Sequence, residues 1–173
     1  MKILLAVRAG RVCALIAATI LAGLFIGRTA VAESLVERGA YLARIMDCGG
    51  CHTYGALAGQ PDPARALAGS DIGFAIPGLG VFYPRNLTSD PETGLGHWSE
   101  GDIIRAVREG VRPDGRELAP IMPWRSYAVL SDTDATALAA YLKSLPPVSF
   151  MPPGPFGPDD APTSPYLAVT PPQ

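Results

Sequence analysis

Two cysteines and a histidine that can bind a cofactor stand within five residues, at Cys48, Cys51 and His52. Two thiols separated by two residues and followed directly by histidine form the CxxCH pattern typical of covalent haem attachment. The thiols can form thioethers with the haem vinyl groups, and the imidazole can then ligate the iron as the proximal ligand. Gly49 and Gly50 lack a β-carbon, so the backbone can approach the porphyrin edge. The motif predicts one covalently attached haem c.

A zinc site and a disulfide or redox pair are the alternatives for these cysteines. The sequence has three cysteines, and Cys13 lies in the apolar N-terminal segment. A structural zinc site needs about four ligands, but the only histidine besides His52 is His97. A thioredoxin-like pair belongs to a βαβ context, and the sequence around Cys48 shows none. These counts favour haem, with a disulfide or redox pair as the remaining alternative.

A methionine between two prolines is the candidate for the second axial ligand. Pro120-Ile121-Met122-Pro123-Trp124 lies about 70 residues after His52. Proline fixes its own φ and restricts the residue before it, so Met122 sits on a stiff segment. His/Met ligation raises the potential of a haem and suits electron transfer. The sequence therefore predicts His52 and Met122 as the axial ligands of the haem iron.

Other residues compete with Met122 for this position. Met122 can instead be an ordinary core methionine. His97 would give a bis-histidine haem, although its glycine-rich setting favours a surface turn. Met46 precedes the attachment motif on the same predicted helix, and Met151 lies in a proline-rich segment. The position of Met46 does not favour an approach to the opposite face of the haem.

The N-terminal segment has the three parts of a secretory signal peptide. Residues 2–11 carry three basic side chains, residues 12–26 form an uncharged apolar run, and Ala30-Val31-Ala32 gives a cleavage pattern before Glu33. The run is shorter than the about 20 residues of a spanning helix, so an uncleaved anchor is the alternative. Because thioethers to haem form after export, the predicted localisation is the periplasm.

The length of 173 residues predicts one domain. Without residues 1–32, 10 of the 14 basic side chains remain beside all 16 acidic ones, which gives a formal charge of −6. This charge argues against nucleic acid as a partner, and against an anionic membrane surface as the main one. The negative charge suits a partner protein that carries a basic docking patch, because complementary charge speeds association.

Three helices are predicted to hold the motif and the methionine. The first spans residues 33–47, with Leu35, Leu42 and Ile45 on one apolar face and Gly39 allowing a close crossing with another helix. It leads directly into the attachment motif. The glycines of the motif are expected to break it.

Local capping signals bound the other two helices. Ser99 is a good N-cap with Asp102 at the third helical position, and Gly110 is a plausible C-terminal stop. Ser131 opens the last helix in the same way, and Pro146 ends it. This last helix is expected to pack across the first one.

The rest of the chain is predicted to be irregular. Residues 53–98 are rich in glycine and proline and form a long loop that wraps the haem edge, with short extended pieces at 76–83. Residues 148–173 are dominated by proline, glycine and small polar residues, which predicts an extended or disordered tail. Arg85, Arg105 and the indole of Trp98 are candidates for the haem propionates, although exposed ion pairing or helix stapling explains them as well.

The order helix, CxxCH, long loop, helix, methionine loop, helix resembles a class I cytochrome c. The chain from about residue 36 to 148 is further similar to the cytochrome c subunits of bacterial periplasmic dehydrogenases. Those subunits accompany membrane-bound alcohol, aldehyde and sugar-acid dehydrogenases and some molybdenum hydroxylases. The resemblance is carried by Asn86-Leu87-Thr88, Asp90, Thr93-Gly94-Leu95-Gly96, Trp98-Ser99, Asp102, Arg105, Gly110, Asp114-Gly115, Met122-Pro123, Tyr127, Leu130-Ser131 and Ala140-Tyr141-Leu142.

This resemblance implies an all-α fold, with a single class I cytochrome c domain over residues 33–147 between the signal peptide at 1–32 and the tail at 148–173. It maps the proximal histidine onto His52 and the distal methionine onto Met122. It implies an electron-transfer protein rather than an enzyme, with a periplasmic or membrane-bound dehydrogenase as donor and a quinone or oxidase-side acceptor. A peripheral membrane association would follow from such a complex.

The chain differs from these subunits in one respect, and two other functions remain as alternatives. Many of these subunits carry three CxxCH motifs, whereas this chain carries one, so we expect a single haem. One alternative is a haem-based catalytic or gas-sensing domain with an open iron site. That function needs a polar distal group, and only His97 could serve. The other alternative is a structural subunit that anchors a larger dehydrogenase through its tail.

Overall fold

The computed structural model describes residues 32–172, and the signal peptide predicted at 1–32 lies outside them except for its last residue. The described chain is mostly helical with little strand, as predicted. No helix in this range has the length and apolar character needed to span a bilayer. In chain order the elements are α1 (Leu35–Ile45), α2 (Cys48–His52), two 3₁₀ turns (Ala56–Ala58 and Pro63–Arg65), β1 (Gly73–Ile76), β2 (Gly80–Phe82), α3 (Glu100–Glu109), α4 (Trp124–Tyr127), α5 (Asp132–Ser144) and β3 (Tyr166–Leu167).

Helices α1 and α5 cross closely and form the centre of the core. Gly39 allows this crossing, because a β-carbon there would overlap the carbonyl group of Ala137 and the β-carbon of Tyr141. Leu42 and Leu138 are buried beside the crossing. Burying one leucine side chain contributes about 1.5–3 kcal/mol relative to leaving it exposed. The predicted crossing through Gly39 is confirmed.

The predicted apolar face of α1 is wrong at two of its three residues. Leu42 is buried, but Leu35 and Ile45 are 48% and 58% exposed. The buried face of α1 runs through Gly39, Leu42 and Ala43 instead. Gly39 lies at the crossing itself, where the two backbones approach each other too closely for a larger side chain.

Replacing Gly39 with valine is expected to destabilise the protein strongly. The new side chain would overlap the backbone of α5, so the two helices would have to separate. Overpacking of this kind costs typically 1–3 kcal/mol and occasionally more. We expect the free energy of unfolding to fall by about 3 kcal/mol and Tm to fall by about 10 °C. Thermal unfolding followed by circular dichroism measures the change in Tm.

Gly101→Ala in α3 is the matched control for this substitution. A β-carbon at Gly101 would meet no heavy atom nearer than the Oγ of Ser99 at 3.7 Å. Tm should then change by no more than about 4 °C, because glycine and alanine differ by about 1 kcal/mol in a helix. Equal changes in the two variants would show that the α1–α5 crossing does not depend on Gly39.

The local signals that bound α3 act as predicted, whereas α5 has the Ser131 cap, with Oγ accepting from the backbone N of Asp134 at 3.1 Å, but no reciprocal bond from the Asp134 carboxylate. The Oγ of Ser99 accepts a hydrogen bond from the backbone N of Asp102 at 3.1 Å, and the Asp102 carboxylate accepts one from the backbone N of Ser99 at 3.0 Å. Helix α3 ends at Gly110, which has a φ of +72°. The indole of Trp124 occupies the space that a β-carbon on Gly110 would need. This glycine therefore both ends α3 and makes room for α4, a short helix that the sequence did not predict.

Buried polar side chains hold the long loop at residues 53–98. Asn86 is 1% exposed, and its Oδ1 accepts a hydrogen bond from the backbone N of Thr88 at 2.9 Å. The Oδ1 of Asp90 accepts one from the backbone N of Thr93 at 2.7 Å. Internal hydrogen bonds of this kind replace the regular structure that the loop lacks.

The extended pieces of the loop belong to a small sheet that includes the C-terminal segment. Strands β1 and β2 form an antiparallel hairpin, and β3 pairs in parallel with β1. Val81 and Phe156 exchange two backbone hydrogen bonds of 2.9 and 3.0 Å. Residues 33–172 thus belong to one compact unit. Helix α5 ends at Ser144, and residues 148–167 of the extended segment that follows contact the loop.

Candidate haem site

The attachment motif forms the short helix α2 directly after α1. Asp47 lies between the two helices with a φ of +54°, in the left-handed region. Its carboxylate lies where a β-carbon on Gly50 would be, whereas a β-carbon on Gly49 would meet no heavy atom nearer than the Oγ1 of Thr53 at 3.6 Å. A β-carbon at Gly50 would therefore displace the Asp47 side chain, a contact that the sequence did not indicate.

The His52 imidazole is held in the tautomer that binds a metal through Nε2. Burial lowers the pKa of His52, and its Nδ1 lies 2.7 Å from the backbone carbonyl oxygen of Arg85. A carbonyl oxygen can only accept a hydrogen bond, which assigns the proton to Nδ1 and leaves the Nε2 lone pair free. Metal-binding histidines commonly donate their other N–H to a carbonyl or carboxylate in this way.

Cys48 and Cys51 are free thiols in partly buried positions. Burial raises the pKa of Cys48 to about 11, with further increases from the Asp47 carboxylate and the Cys51 thiol. Burial and Asp47 also raise the pKa of Cys51. Redox-active CxxC cysteines have lowered pKa values, so this environment argues against a redox pair. Among residues 32–172, no three His, Cys, Asp or Glu side chains are grouped so that they could hold a metal ion.

The methionine loop ends beside the attachment motif. Tyr127, five residues after Met122, donates a hydrogen bond from its Oη to the carbonyl oxygen of Met46 at 2.9 Å. Burial raises the pKa of Tyr127, and the neighbouring Cys48 and Cys51 raise it further. Tyr127 therefore fixes α4, and with it the end of the methionine loop, next to the two thiols.

Met122 is partly buried and lies in a tight turn. Its backbone N donates to the carbonyl of Ala119 at 2.9 Å, and its carbonyl accepts from the backbone N of Trp124 at 2.8 Å. A cavity of about 220 Å³ lies between this loop and the β1–β2 hairpin, but its lining contains none of Cys48, Cys51, His52 and Met122. The lining includes Leu79, Phe82, Leu118, Pro120, Trp124 and Arg125.

The structure places the competing ligands elsewhere. His97 is exposed on a turn, as the sequence indicated. Met46 packs against the core at the end of α1. Met151 is 57% exposed, and its Sδ accepts a hydrogen bond from Arg85 Nη2 at 3.3 Å. Met122 is therefore the candidate that we retain for the distal position, and its ligation of iron stays a prediction.

A buried guanidinium nitrogen that the sequence did not indicate fits a haem propionate. The Nε of Arg112 is buried and has no hydrogen-bond partner among residues 32–172. The Oδ2 of Asp114 lies 3.5 Å away, which is beyond normal hydrogen-bond length. The Arg112 guanidinium also lies 5.5 Å from the centre of the Trp98 ring. A propionate oxygen would supply the missing acceptor, and in this respect the residues present fit haem c.

The arginines predicted to pair with propionates are placed differently. Arg105 is exposed. Arg85 donates to backbone carbonyls of the C-terminal segment. Burial lowers the pKa of Arg85, and the nearby Arg112 and Arg116 lower it further. The sequence feature that could have pointed to Arg112 is the turn after Gly110, where two arginines flank a single aspartate.

Comparison with known proteins defines the family. Residues 36–146 match the family model of cytochrome c, so the chain belongs to the cytochrome c family. Membership implies covalently bound haem c with its iron. The resemblance to dehydrogenase cytochrome subunits that the sequence suggested is confirmed by several relatives.

Three relatives illustrate this similarity. The chain is 46% identical over 109 residues to the cytochrome c subunit of gluconate 2-dehydrogenase from Pantoea cypripedii. It is 41% identical over 109 residues to the cytochrome c subunit of a quinone alcohol dehydrogenase from Gluconobacter oxydans. It is 43% identical over 115 residues to one of the subunits of nicotinate dehydrogenase from Pseudomonas putida. These matches cover 63%, 63% and 66% of this chain but only 23%, 21% and 9% of the relatives, so the chain spans less than a quarter of their length.

Proposed function

We propose that this chain is a single-haem c-type cytochrome that transfers one electron at a time and has no substrate of its own. Cys48 and Cys51 hold the haem covalently, and His52 and Met122 ligate its iron. The bound haem supplies the one-electron couple of its iron. The observation that carries this proposal is the hydrogen bond from His52 Nδ1 to the Arg85 carbonyl, 2.7 Å long, which leaves Nε2 ready to bind iron.

The proposed partners follow from the relatives and from charge. The named relatives are subunits of gluconate, alcohol and nicotinate dehydrogenases, so we propose a periplasmic or membrane-bound dehydrogenase as the electron donor. The acceptor is a quinone or a component on the oxidase side of the respiratory chain. The formal charge of −6 after residue 32 favours a basic docking patch on the partner. A peripheral association with the membrane follows from such a complex.

The proposed location is the periplasm, and the N-terminal sequence supports it. Residues 1–32 have the charge pattern, apolar run and cleavage pattern of a signal peptide. Covalent attachment of haem takes place after export, which is consistent with a periplasmic localisation. The haem-binding part then spans residues 33–147.

An open iron site for catalysis or gas sensing has weaker support. Such a site needs a polar group above the iron. His97, which is the only other histidine, is exposed on a turn. The tail that would anchor a larger enzyme is packed along residues 73–88 of its own chain. These observations favour electron transfer over both alternatives.

A potentiometric titration of the exported holoprotein tests the proposed function. We expect one haem per chain, a single one-electron transition, and no change in the reduced spectrum on addition of carbon monoxide. Reduction by a periplasmic dehydrogenase and its substrate should follow, and should slow as salt screens the charges. Carbon monoxide binding at the iron would instead indicate an open site and contradict the proposal.

Arg112→Met is expected to lower the reduction potential of the haem. A reduced haem carries one more negative charge, and the guanidinium of Arg112, whose Nε is buried, would stabilise it from beside a propionate. Loss of this charge should lower the potential by tens of millivolts, the order expected for unit charges several ångströms apart in a protein. Potentiometry measures the shift. Arg108→Met is the matched control, because Arg108 pairs with Asp132 at 2.6 Å on the protein surface; equal shifts would refute a specific role for Arg112.

A further inference from the structure

The first part of the C-terminal segment lies directly behind the loop that faces His52. We call residues 148–156 the proximal strap. Asn86 Nδ2 donates to the strap carbonyls of Val148 at 2.7 Å and Phe150 at 3.4 Å. Pro152 is fully buried, and its ring occupies the space that a β-carbon on Gly69 would need. The strap is therefore part of the packed structure.

Arg85 connects the strap to His52 through both of its ends. Its backbone carbonyl oxygen accepts a hydrogen bond from His52 Nδ1, at an N-to-O distance of 2.7 Å. Its Nη1 lies 3.0, 3.3 and 3.2 Å from the carbonyl oxygens of Pro152, Pro153 and Gly154. Its Nη2 donates to the Sδ of Met151 at 3.3 Å. One residue thus joins the strap to the proximal histidine.

The acceptors that hold the Arg85 guanidinium come from the strap. Among residues 32–172 no carboxylate forms a salt bridge with Arg85. A partly buried guanidinium must find hydrogen-bond acceptors to remain in place, and the neighbouring charges of Arg112 and Arg116 disfavour its position further. The strap carbonyls therefore determine where this side chain lies.

A second set of contacts supports the backbone next to His52. The carbonyl of His52 accepts a hydrogen bond from the backbone N of Gly69 at 2.8 Å, and Pro152 packs on that glycine. The ring of Phe150 lies edge-on against Tyr54, with ring centres 5.5 Å apart. Both the side chain and the backbone of His52 are thus backed by the strap.

We propose that the proximal strap, acting through Arg85, is a positioning element for His52. This inference rests on the proposed function, because it takes His52 to be the iron ligand, but the cytochrome c family match ends at residue 146 and does not contain the strap. The acceptor of the Nδ1–H bond raises the basicity of a ligating imidazole. A firmly held Arg85 carbonyl therefore keeps the imidazole basic, stabilises ferric iron and lowers the reduction potential.

Full-length variants separate the position of Arg85 from its charge. Arg85→Lys keeps the charge, but a single ammonium cannot reproduce the arrangement of Nη1 and Nη2. Phe150→Ala/Pro152→Ala loosens the strap and leaves Arg85 unchanged. Arg38→Lys is the matched control, because Arg38 instead binds Asp134 through Nε at 2.9 Å on α5.

The decisive readouts are hydrogen exchange at His52 Nδ1–H, measured by NMR in the reduced holoprotein, and the reduction potential. We expect exchange to accelerate roughly tenfold in Arg85→Lys and in the strap double variant, as for the loss of about one hydrogen bond. We expect the potential to rise in both variants, and neither readout to change in Arg38→Lys. A structural role alone would lower stability without moving the potential.

Unchanged exchange and potential in Arg85→Lys, with the haem still low-spin, would overturn the proposal. If the double variant does not fold, Arg85→Lys decides alone. The absorption spectrum of the parent protein separates this failure from that of the proposed function. If that spectrum showed no His/Met-ligated haem, the proposed function would fail, while the same exchange comparison on the protein as purified would still report whether the strap holds the imidazole.

Discussion

Replacing Met122 with alanine is expected to leave the haem covalently attached and to convert its iron from low-spin to high-spin. The attachment residues Cys48 and Cys51 lie on α2 and do not depend on the methionine loop for their bonds. Loss of the thioether removes the ligand that raises the potential of a His/Met haem. Axial ligands set haem potentials over about 0.8 V, so we expect the potential to fall by on the order of 0.1 V or more.

The methionine loop should keep its fold in this variant. Met122 contributes backbone hydrogen bonds to Ala119 and Trp124, and alanine retains both. Tyr127 remains bonded to the Met46 carbonyl. The loss should therefore appear in the iron and not in the surrounding chain.

Absorption spectroscopy and potentiometry of Met122→Ala measure both effects. For the spin state, Met151→Ala is the matched control, since Met151 is 57% exposed and contacts Arg85; its iron should stay low-spin. A Met122→Ala protein with the spectrum of the parent would show that another residue ligates the iron.

Replacing Cys51 with serine is expected to abolish most covalent haem. A hydroxyl forms no thioether, so only the bond from Cys48 could remain. The haem would then be attached to the chain through one of its two vinyl groups. We expect the yield of covalent haem to fall at least about tenfold. Haem staining of the denatured, exported protein measures this yield.

Cys13→Ser is the matched control for Cys51→Ser. Cys13 lies in the predicted signal peptide, so its loss should leave covalent haem unchanged. Parent-like amounts of covalent haem in Cys51→Ser would refute the attachment site. Loss of haem in Cys13→Ser would refute the assignment of the two thiols.

The parts of the fold that were predicted depend on local sequence. Ser99 and Ser131 begin α3 and α5 because each side chain caps a backbone N–H three residues later. Gly110 ends α3 because it adopts a positive φ. Gly39 gives the helix crossing because only glycine lets α5 approach this closely. Each of these signals is complete within a few residues or rests on the absence of one side chain.

The parts that were not predicted depend on contacts between distant residues. Leu35 and Ile45 fit the helical period of α1 but are exposed, because the position of α5 decides which face is buried. Val81 pairs with Phe156, far along the chain, and the composition of the tail gives no sign of this partner.

The candidate site divides in the same way. The motif at Cys48, Cys51 and His52 was evident because its spacing is short and fixed. The sequence did not reveal that the Arg85 carbonyl accepts a hydrogen bond from His52 Nδ1. It also did not reveal the Nε of Arg112, which has no hydrogen-bond partner among residues 32–172. Both depend on how the long loop folds around the motif, which no local pattern specifies.

The absorption spectrum of the exported protein, in its ferric and dithionite-reduced states, tests the central claim most directly. His52 and Met122 ligation predicts sharp reduced bands, together with a weak red band of sulfur-to-iron charge transfer in the ferric form. A high-spin spectrum, or one that shifts when carbon monoxide is added, would contradict His/Met ligation and the electron-transfer function built on it.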